Sequence, residues 1–461
     1  MTGIAAVDPA RHVAGAVTWL RRAGLGEGDR ALTLLPNSID TFALGLACML
    51  EGVVQVPLPH DLPPADIAEI VGDAAPTAVV AATVPDSTAV RHLVPPVDGF
   101  ASLAPTDPAS DWPRTRPMAY TSGTTGRRKG VHVGVHGPAW GRTVVQDESA
   151  AFDGRHGDVH LVVSPLYHSG PFRFAAVTAL TGGRVAVMPT FEARAWRDAL
   201  RTVRPTSLFC VPTHLHRLIA LPETSRDDLA SLDLLAHAGA PCPVPLKEQV
   251  LELAPSGSVW EFYGSTEGQF TVCPPDLWRE SPGTVGRARP GHRLEIRDAD
   301  GTGVGTVWVR APVEYRWEYW GAPEQTRAAW DGDAFTVGDL GRLDSHGDGS
   351  LLHLAGRPGD LVITGGVNVY PAEVERHLLL HPDVAEAVVF GRPDPDWGER
   401  LVAAVVLWPG RRTTVADLLA HARRVLPRQR VPKELHLVDD LPRTATGKVR
   451  RVGLADELAA R

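Results

Sequence analysis

A short segment early in the chain has the composition of a phosphate-binding loop. Residues 120–130 read YTSGTTGRRKG, which brings three glycines, four serine or threonine hydroxyl groups and Lys129 into eleven residues. Glycines let backbone N–H groups approach phosphate oxygens closely, and a lysine neutralises the phosphate charge. The segment does not follow the Walker A pattern, and a hairpin loop without a ligand favours the same residue types. We expect a loop that holds phosphate groups.

Four later segments carry polar groups in glycine-containing loops. Residues 261–268 (EFYGSTEG) combine an aromatic ring, a tight turn, hydroxyl groups and a carboxylate, and Asp339 follows a predicted strand. Residues 356–375 contain two glycine-containing turns, and Lys448 lies in a loop near the C-terminus. Each has an ordinary alternative, because an aspartate at a strand end usually forms a turn and a surface lysine is usually only solvated. Taken singly, none of the four segments identifies a function.

The elements that must position these loops alternate between helices and strands in the first part of the chain. Helices are predicted over 12–23, 38–50 and 66–73, and strands over 30–35, 53–57, 78–82, 160–164, 207–211 and 232–235. Strands separated by helices of about a dozen residues indicate βαβ units and a largely parallel sheet. From residue 283 onward, short strands with Gly/Asp turns predict a small antiparallel or barrel-like unit.

A compact α+β pattern occupies the end of the chain. It follows the sequence RPGD at 357–360, where proline and glycine make the best candidate for a boundary and hinge. The predicted fold class is therefore α/β: a large N-terminal domain (1–355) of stacked βαβ sheets with a small barrel-like subdomain, a hinge (356–360) and a small C-terminal domain (361–461).

Composition and charge exclude several classes of partner. The 461 residues include 46 Lys and Arg against 54 Asp and Glu, a net charge of −8, which argues against nucleic acid or an anionic membrane as the main partner. No apolar run approaches the roughly 18 residues of a membrane span, and no signal-peptide pattern opens the chain. The four cysteines fit neither a CxxC motif nor a disulfide framework. We expect a cytoplasmic protein with free thiols.

Together, and in this order, the segments resemble the superfamily of adenylate-forming enzymes, which includes acyl-CoA synthetases, adenylation domains of peptide synthetases and beetle luciferases. The resemblance runs from about Gly26 to Arg451. Within the superfamily the chain is most similar to bacterial fatty-acid and aryl or steroid acyl-CoA ligases. That narrower resemblance rests on SPLYHSGPFRF (164–174), HAGAPCP (237–243), GGVNVYP (365–371) and DLPRTATGK (440–448).

The resemblance implies a reaction in two halves. A carboxylic acid attacks ATP, assisted by Mg²⁺, to give acyl-AMP and pyrophosphate, and the thiol of CoA then displaces AMP to give a thioester. Negative charge develops on phosphate oxygens in both steps, so the site should supply cationic groups and fixed donors and needs no covalent nucleophile. The resemblance also implies that the C-terminal domain turns between the two halves, with Lys448 in the site only during the first.

The family pattern assigns ATP-binding roles residue by residue. Thr266 contacts the α-phosphate, Glu267 holds Mg²⁺, and Lys448 bridges the acid and the α-phosphate. Tyr263 lies against the adenine, with Gly239 and Ala240 on the other side. Residues implied for the remaining ATP contacts are Thr121, Ser122, Gly123, Thr124, Thr125, Gly126 and Lys129 at the β- and γ-phosphates, Gly264 in the turn, Asp339 at the ribose and Arg357 at the ribose or phosphates.

The same pattern assigns residues to the acid and to the acceptor. His168 stands at the entrance of the acid pocket, where positioning or gating is expected instead of general-base catalysis. The other implied pocket residues are Pro171, Phe172, Arg173, Val211, His237 and Ala238. Arg173 either faces the pocket, favouring a second polar or anionic group on the acid, or points away and pairs at the surface. Gly365 and Gly366 would line the acceptor channel.

Some features depart from the family pattern, and some alternatives stay open. Arg128 replaces a proline that usually precedes the lysine of the phosphate loop, Gly359 stands where an Asp or Lys is common, and the region before Gly24 is short. One alternative is an adenylating enzyme whose acceptor is a carrier-protein thiol, an amine or nitrite. Another is an inactive ATP-binding scaffold. The identity of the acid and the existence of a homodimer stay open.

Overall fold

The first part of the chain forms a four-stranded parallel sheet flanked by helices. The computed structural model describes residues 4–83, 90–121, 128–155, 157–347, 349–365 and 367–443, together with Val449, Arg451 and Leu454. The elements of this part are α1 (Ala10–Arg22), β1 (Arg30–Leu34), α2 (Ile39–Glu51), β2 (Val54–Pro57), α3 (Pro64–Ala74), β3 (Ala78–Ala81) and β4 (His92–Leu93). The strand order is β2-β1-β3-β4. Ser38 caps α2 by accepting from the Thr41 N–H (3.0 Å), and Gly52 (φ 74°) ends it in the left-handed conformation that glycine tolerates.

A second, five-stranded parallel sheet carries most of the loops predicted to act. The elements in and before it are β5 (Tyr120–Thr121), β6 (Lys129–His132), α4 (Pro138–Ala150), β7 (Val159–Val162), α5 (Ser169–Leu180), β8 (Arg184–Val187), α6 (Ala193–Val203), β9 (Ser207–Cys210), α7 (Pro212–Ile219), α8 (Arg226–Leu229), β10 (Leu234–His237), α9 (Val244–Leu253) and β11 (Val259–Glu261). The order of the sheet is β11-β10-β9-β7-β8. Every residue of β7, β9, β10 and β11 is buried, as in sheets covered on both faces. The loops after these strands therefore meet at one carboxyl edge, where α/β folds bind ligands.

The middle of the chain is antiparallel. Its elements are β12 (Thr271–Val272), α10 (Pro275–Glu280), β13 (Arg287–Ala288), β14 (Arg293–Arg297), β15 (Gly305–Arg310), β16 (Glu318–Tyr319), α11 (Pro323–Ala329), β17 (Trp330–Asp331), β18 (Ala334–Phe335), β19 (Leu340–His346) and β20 (Gly349–Gly356). One sheet has the order β17-β18-β15-β19-β20, with β14 also paired to β15. β16 pairs with β6, which brings the middle of the chain against the predicted phosphate loop.

The last part forms a small mixed unit with its own apolar core. Its elements are β21 (Val362–Thr364), β22 (Val367–Val369), α12 (Pro371–Leu378), β23 (Val384–Asp394), β24 (Gly398–Leu407), α13 (Val415–Val425) and β25 (Glu434–Leu437). The strand order is β22-β21-β24-β23, and β25 adds to β24 in parallel. Thr414 and Asp417 form a capping box at the start of α13.

The architecture confirms the predicted α/β class with a large N-terminal and a small C-terminal part. β20 ends at Gly356, inside the predicted hinge, while the exact division at 356–360 stays a prediction. Cys48, Cys210 and Cys273 are buried, Cys242 is partly buried, and all four are free thiols. Across the described ranges, none of the helices is both long enough and apolar enough to cross a bilayer.

Candidate active site

Hydrogen bonds join three side chains that are predicted to bind ATP, although each of the three lies beside the end of a different strand. The Tyr263 hydroxyl, just after β11, donates to Asp339 Oδ2 at 2.6 Å. Arg357 Nε, just after β20, donates to Asp339 Oδ1 at 2.8 Å. Burial, followed by the charge of Asp339, raises the pKa of Tyr263 well above its usual range, so the hydroxyl stays a donor. Since a carboxylate offers about four lone-pair sites, Asp339 can still accept from two ribose hydroxyls.

The carboxylate predicted to bind magnesium is held by a donor on each oxygen. Glu267 is only 6% exposed. Its Oε2 accepts from Ser265 Oγ at 2.5 Å, and its Oε1 accepts from the hydroxyl of Tyr319 at 2.8 Å. Thr266, which lies between Ser265 and Glu267 in the loop, is partly buried. Tyr319 was not singled out from the sequence, because it becomes part of the site only through the pairing of β16 with β6.

The donor set around Glu267 suits magnesium that arrives with a nucleotide. No group of three or more His, Cys, Asp or Glu side chains fit to hold a metal occurs among the residues that the structure describes. Magnesium is usually held by one or two carboxylates together with substrate phosphates and water, not by an all-protein cage. One oriented carboxylate beside a phosphate loop fits that pattern.

The ends of the predicted phosphate loop form a short hairpin that is tied to α3. Thr121 and Lys129 are cross-strand partners in the β5–β6 pair. Arg128, which replaces the usual proline, pairs with Asp66 at 2.7 Å, and the Tyr120 hydroxyl donates to an α3 carboxylate, Asp73, at 2.7 Å. Residues 122–126 lie outside the described residues, as do Gly366 and Lys448, so their roles stay predictions.

The loop that carries Tyr263 and Glu267 requires glycine at one position. Gly264 bridges to Gln269 across the turn. A Cβ at Gly264 would lie 2.5 Å from the carbonyl oxygen of Gly268, a distance that excludes any side chain. The glycine thereby allows one tight turn to present Tyr263 at one end and Glu267 at the other.

Several predicted pocket residues meet at the carboxyl edge of the second sheet. Val211 follows β9, and its Cγ1 lies 3.5 Å from the position of a Cβ on Gly239, whose φ of +88° favours glycine. Ala240 follows on the same exposed loop. Ala238 is buried among aromatic rings that include Phe174, Phe209 and Phe262. His168 precedes α5, with its ring 4.4 Å from that of Tyr167.

Four phenylalanines form the aromatic wall beside Ala238. Phe174 stacks on Phe209 with centroids 5.3 Å apart, and lies 5.9 Å from Phe262 and 5.2 Å from Phe152. The rings come from four different stretches of chain. All four rings are buried in one apolar cluster with Ala238, and the guanidinium carbon of Arg173 lies 5.6 Å from the Phe174 centroid and 5.5 Å from the Phe262 centroid.

The structure corrects the placement of Phe172. Its ring lies 5.7 Å from that of Phe42, and its Cε2 would be 2.5 Å from a Cβ on Gly45, so Phe172 fills the contact between α5 and α2. Residues two apart on a helix point about 200° apart. Phe174, not Phe172, therefore faces Ala238.

The structure also places His237 differently from the sequence prediction. The side chain is fully buried on the α9 side of the sheet, where Lys247 Nζ donates to its Nε2. Lys247 Nζ also donates to Glu261 Oε2 at 3.4 Å. Burial, followed by the charge of Lys247, lowers the pKa of His237 well below its usual range. Adjacent strand residues face opposite sides, so Ala238 can line the pocket while His237 does not.

Arg173 neither pairs at the surface nor remains uncompensated. Its Nε lies 3.4 Å from Oε2 of buried Glu148, and one terminal nitrogen donates to Gln269 Oε1 at 3.0 Å. Arg289 donates to the other oxygen of Glu148 at 3.2 Å. Burial alone would raise the pKa of Glu148, but Arg173, Arg289 and Arg116 lower it to about 2. Arg173 therefore has a carboxylate partner inside the protein, and Glu148 shares its negative charge with Arg289 and Arg116 as well.

An exposed tryptophan stands over the predicted acceptor residue Gly365. A Cβ on Gly365, whose φ is +57°, would lie 2.8 Å from Cε3 of Trp397. Trp397 is 47% exposed, and Lys433 Nζ lies 4.9 Å from its ring centroid. The sequence did not reveal this surface, since it forms only where the turn between β23 and β24 packs beside the loop before β25.

Comparison with known proteins agrees with this geometry. Residues 10–316 match the AMP-binding enzyme family and residues 373–448 match the AMP-binding enzyme C-terminal domain. The chain is 30% identical to long-chain-fatty-acid–CoA ligase FadD13 of Mycobacterium tuberculosis, over 95% of this chain and 90% of that protein. It is 31% identical to fatty acid–[acyl-carrier-protein] ligase ScoC of Streptomyces coeruleorubidus, over 95% of this chain and 88% of that one.

A solved structure with similar architecture is the amide bond synthetase McbA from Marinactinospora thermotolerans. It has a TM-score of 0.83 and 29% identity, and the match covers 97% of this chain and 94% of McbA. The names of these three proteins refer to CoA, to acyl-carrier protein and to an amide bond, respectively. With both family domains matched in order and over most of its length, the chain belongs to the AMP-binding enzymes and is an AMP-forming acid ligase of the adenylate-forming superfamily, near the CoA ligases.

Proposed function

We propose that this enzyme activates a carboxylic acid as acyl-AMP, releases pyrophosphate from ATP, and transfers the acyl group to the thiol of CoA. The observation that carries the proposal is the tight loop 263–267. Its first residue bonds to Asp339, while its last residue, Glu267, is oriented beside the hairpin of Lys129. One rigid turn thereby links the groups proposed for the nucleoside with those proposed for the phosphates.

The first half-reaction requires binding and electrostatics instead of a nucleophilic side chain. The acid's carboxylate oxygen attacks the α-phosphorus, and the bond from that phosphorus to the pyrophosphate oxygen breaks. Tyr263 and the loop of Gly239 and Ala240 hold the adenine, while Asp339 and Arg357 orient the ribose. A Mg²⁺ ion held by Glu267 would supply positive charge to the phosphate oxygens.

The remaining polar groups act on the phosphates and on the acid. Thr266 donates to the α-phosphate, and Lys129 with residues 121–126 neutralises the β- and γ-phosphates. Lys448 bridges the acid and the α-phosphate and leaves afterwards. Fixed donors of this kind lower the barrier because they need little reorganisation as charge develops.

The acid lies between His168, Val211 and Ala238, against the aromatic wall. The rings of this wall are apolar, and Arg173, whose guanidinium lies over Phe174 and Phe262, is paired with Glu148. An apolar or aromatic acid therefore suits the pocket, because the rings of the aromatic wall offer dispersion and ring contacts.

CoA is the acceptor that the exposed surface around Trp397 favours. An aromatic face with Lys433 above it offers stacking and positive charge, which suit the adenine and phosphates of CoA. In this proposal the thiol passes Gly365 and Gly366, attacks the acyl carbon and displaces AMP. A carrier-protein thiol or an amine is the second candidate, because ScoC and McbA are named for those acceptors.

The test is AMP release from MgATP with a panel of aryl and aliphatic acids, with and without CoA, and with products identified by mass. We expect AMP and a thioester to accumulate only with CoA, and Trp397→Ala to lower kcat/KM for CoA about tenfold without slowing acyl-AMP formation. AMP turnover indifferent to CoA would move the proposal to another acceptor. If no AMP forms with any acid or acceptor, the result would support an inactive scaffold.

A further inference from the structure

We infer that Tyr319 is a positioning residue that holds Glu267 and Lys129 in the arrangement that MgATP requires. The inference rests on the proposed function, in which Glu267 serves the metal and Lys129 serves the phosphates. Tyr319 is the last residue of β16 and is the cross-strand partner of Val131 on β6. Since Lys129 begins β6, this pairing sets Tyr319 at the base of the phosphate loop.

The hydroxyl of Tyr319 determines the orientation of Glu267. It donates to Oε1 at 2.8 Å, while Ser265 Oγ donates to Oε2 at 2.5 Å. With one donor on each oxygen, the carboxylate cannot rotate freely, yet each oxygen keeps a lone pair for a cation. If a nearly buried carboxylate loses one donor, its desolvation is no longer compensated by that hydrogen bond, and the group rotates more freely.

The ring of Tyr319 determines the position of Lys129. Lys129 Nζ lies 4.8 Å from the ring centroid, within the roughly 6 Å over which a cation is attracted to an aromatic face. The ring itself is held by Trp317, whose centroid is 4.8 Å away, and the Tyr319 N–H donates to Thr326 Oγ1 at 2.9 Å. The platform under the lysine is therefore fixed by both backbone and side-chain contacts.

Tyr319 also keeps two opposite charges apart. Within the ranges that the structure describes, Lys129 and Glu267 form no ion pair with each other; each contacts a different part of Tyr319. A direct ion pair would neutralise both groups and compete with the metal and the phosphates for them. The hydroxyl and the ring thus have separable roles, which two substitutions can distinguish.

The experiment measures ATP binding to the full-length protein by calorimetry, in EDTA and over a series of Mg²⁺ concentrations. Tyr319→Phe removes the hydroxyl and keeps the ring, and Tyr319→Leu removes both. Tyr315→Phe is the matched control, because the buried Tyr315 hydroxyl donates to another carboxylate, Asp147, at 3.3 Å. Melting temperatures of all three variants report any general loss of stability.

We expect wild-type protein and Tyr315→Phe to gain ATP affinity equally when Mg²⁺ is added. Tyr319→Phe should bind ATP in EDTA within about twofold of wild type but lose roughly tenfold in Mg²⁺, the effect of removing one hydrogen bond to a charged group. Tyr319→Leu should bind ATP more weakly in both conditions, since Lys129 loses its platform.

Three outcomes would overturn the inference. If Tyr319→Phe retains the full gain from Mg²⁺, or weakens ATP binding equally with and without the metal, Tyr319 does not position Glu267 for the metal. If Tyr319→Leu binds ATP like wild type in EDTA, the ring does not position Lys129. Wild-type protein that gains nothing from Mg²⁺ would instead contradict the proposed function itself, which separates the two failures.

Discussion

At the scale of single residues, Asp339 connects most of the nucleotide-binding prediction. It accepts hydrogen bonds from Tyr263 at 2.6 Å and from Arg357 at 2.8 Å, two residues that are 94 positions apart along the chain. The sequence identified all three, because each lies in a recognisable segment of a known family. Their direct contact was not predictable, since it depends on how β11, β19 and β20 pack together.

Replacing Asp339 with asparagine should weaken ATP binding specifically. The amide keeps the shape but loses the charge and one acceptor, so we expect the KM for ATP to rise about tenfold, with the KM for the acid nearly unchanged. Initial rates of pyrophosphate release at varied ATP and acid concentrations measure both constants. Asp344→Asn is the control, because Asp344 lies on β19, the strand that follows Asp339, and pairs with Arg342 at 3.0 Å. An equal rise for both substrates would contradict the assignment to the ribose.

Some side chains lie elsewhere than the sequence predicted, and they show which features residue patterns do not predict. The strand predicted over 232–235 is observed as Leu234–His237, which moves His237 into the strand and turns its side chain towards α9. Phe172 was assigned to the pocket, but its ring packs against α2, and Phe174, two residues later on α5, lies in the cluster that holds Ala238. Tyr319 carries no local signal, since its role depends on pairing with a strand about 190 residues earlier. Composition and periodicity do not fix the ends of a helix or strand to within one or two residues, and such a shift changes which way a side chain points.

At the scale of elements, the alternation of helices and strands predicted the parallel sheets, and the short strands after residue 283 predicted the antiparallel part. Hydrophobic periodicity indicates which elements form, because buried strands and amphipathic helices have different spacings. It says nothing about interior ion pairs between elements. The cluster of Glu148 on α4, Arg173 on α5 and Arg289 after β13 is such a case.

Replacing Glu148 with glutamine should destabilise the fold in a pH-dependent way. The folded-state pKa of Glu148 is about 2, below the ordinary 4.5, so its stabilising effect is complete above about pH 4.5 and is lost as the pH falls towards 2. The shift corresponds to about 3 kcal/mol, and the variant also leaves buried arginines unpaired. Calorimetric melting should show a lower transition at pH 7 and a smaller difference from wild type near pH 3.5.

Glu324→Gln is the matched control for this measurement. Glu324 is exposed at the start of α11, where a surface carboxylate contributes little. Its transition should follow that of wild type at both pH values. A pH-independent deficit in Glu148→Gln would mean that packing, not charge, holds the cluster together.

At the scale of the whole molecule, contacts between side chains join the C-terminal part to the N-terminal part, and two of them involve aromatic side chains of the C-terminal part. The Tyr370 hydroxyl donates to Asp300 Oδ2 at 2.8 Å. The ring of His216, on α7, stacks on Trp408 with centroids 4.2 Å apart. A single hydrogen bond and a single ring contact can each break at modest cost, which suits the turn of the C-terminal part that the proposed two-step reaction requires.

Weakening both contacts should loosen the attachment of the C-terminal part to the N-terminal part. Tyr370→Phe combined with Trp408→Ala removes one hydrogen bond to a carboxylate and one aromatic contact, together about 2 kcal/mol. Hydrogen exchange should therefore rise in α7 and in residues 298–304, while the second sheet stays protected. Trp397→Ala, on the exposed side of the C-terminal sheet, should leave exchange in both regions unchanged. Equal exchange in the double variant and wild type would show that other contacts hold the two parts together.

The aromatic wall has a consequence for how the enzyme can diversify. Phe152, Phe174, Phe209 and Phe262 are supplied by four separate stretches of chain, and none of them forms a hydrogen bond that the nucleotide site depends on. If the acid lies against this wall as proposed, changing the size of one ring alters the packing around the acid while the groups proposed for ATP keep their partners. Substrate range and nucleotide chemistry can then be selected independently, and a library confined to these four positions is the natural starting point for redirecting the enzyme to new acids.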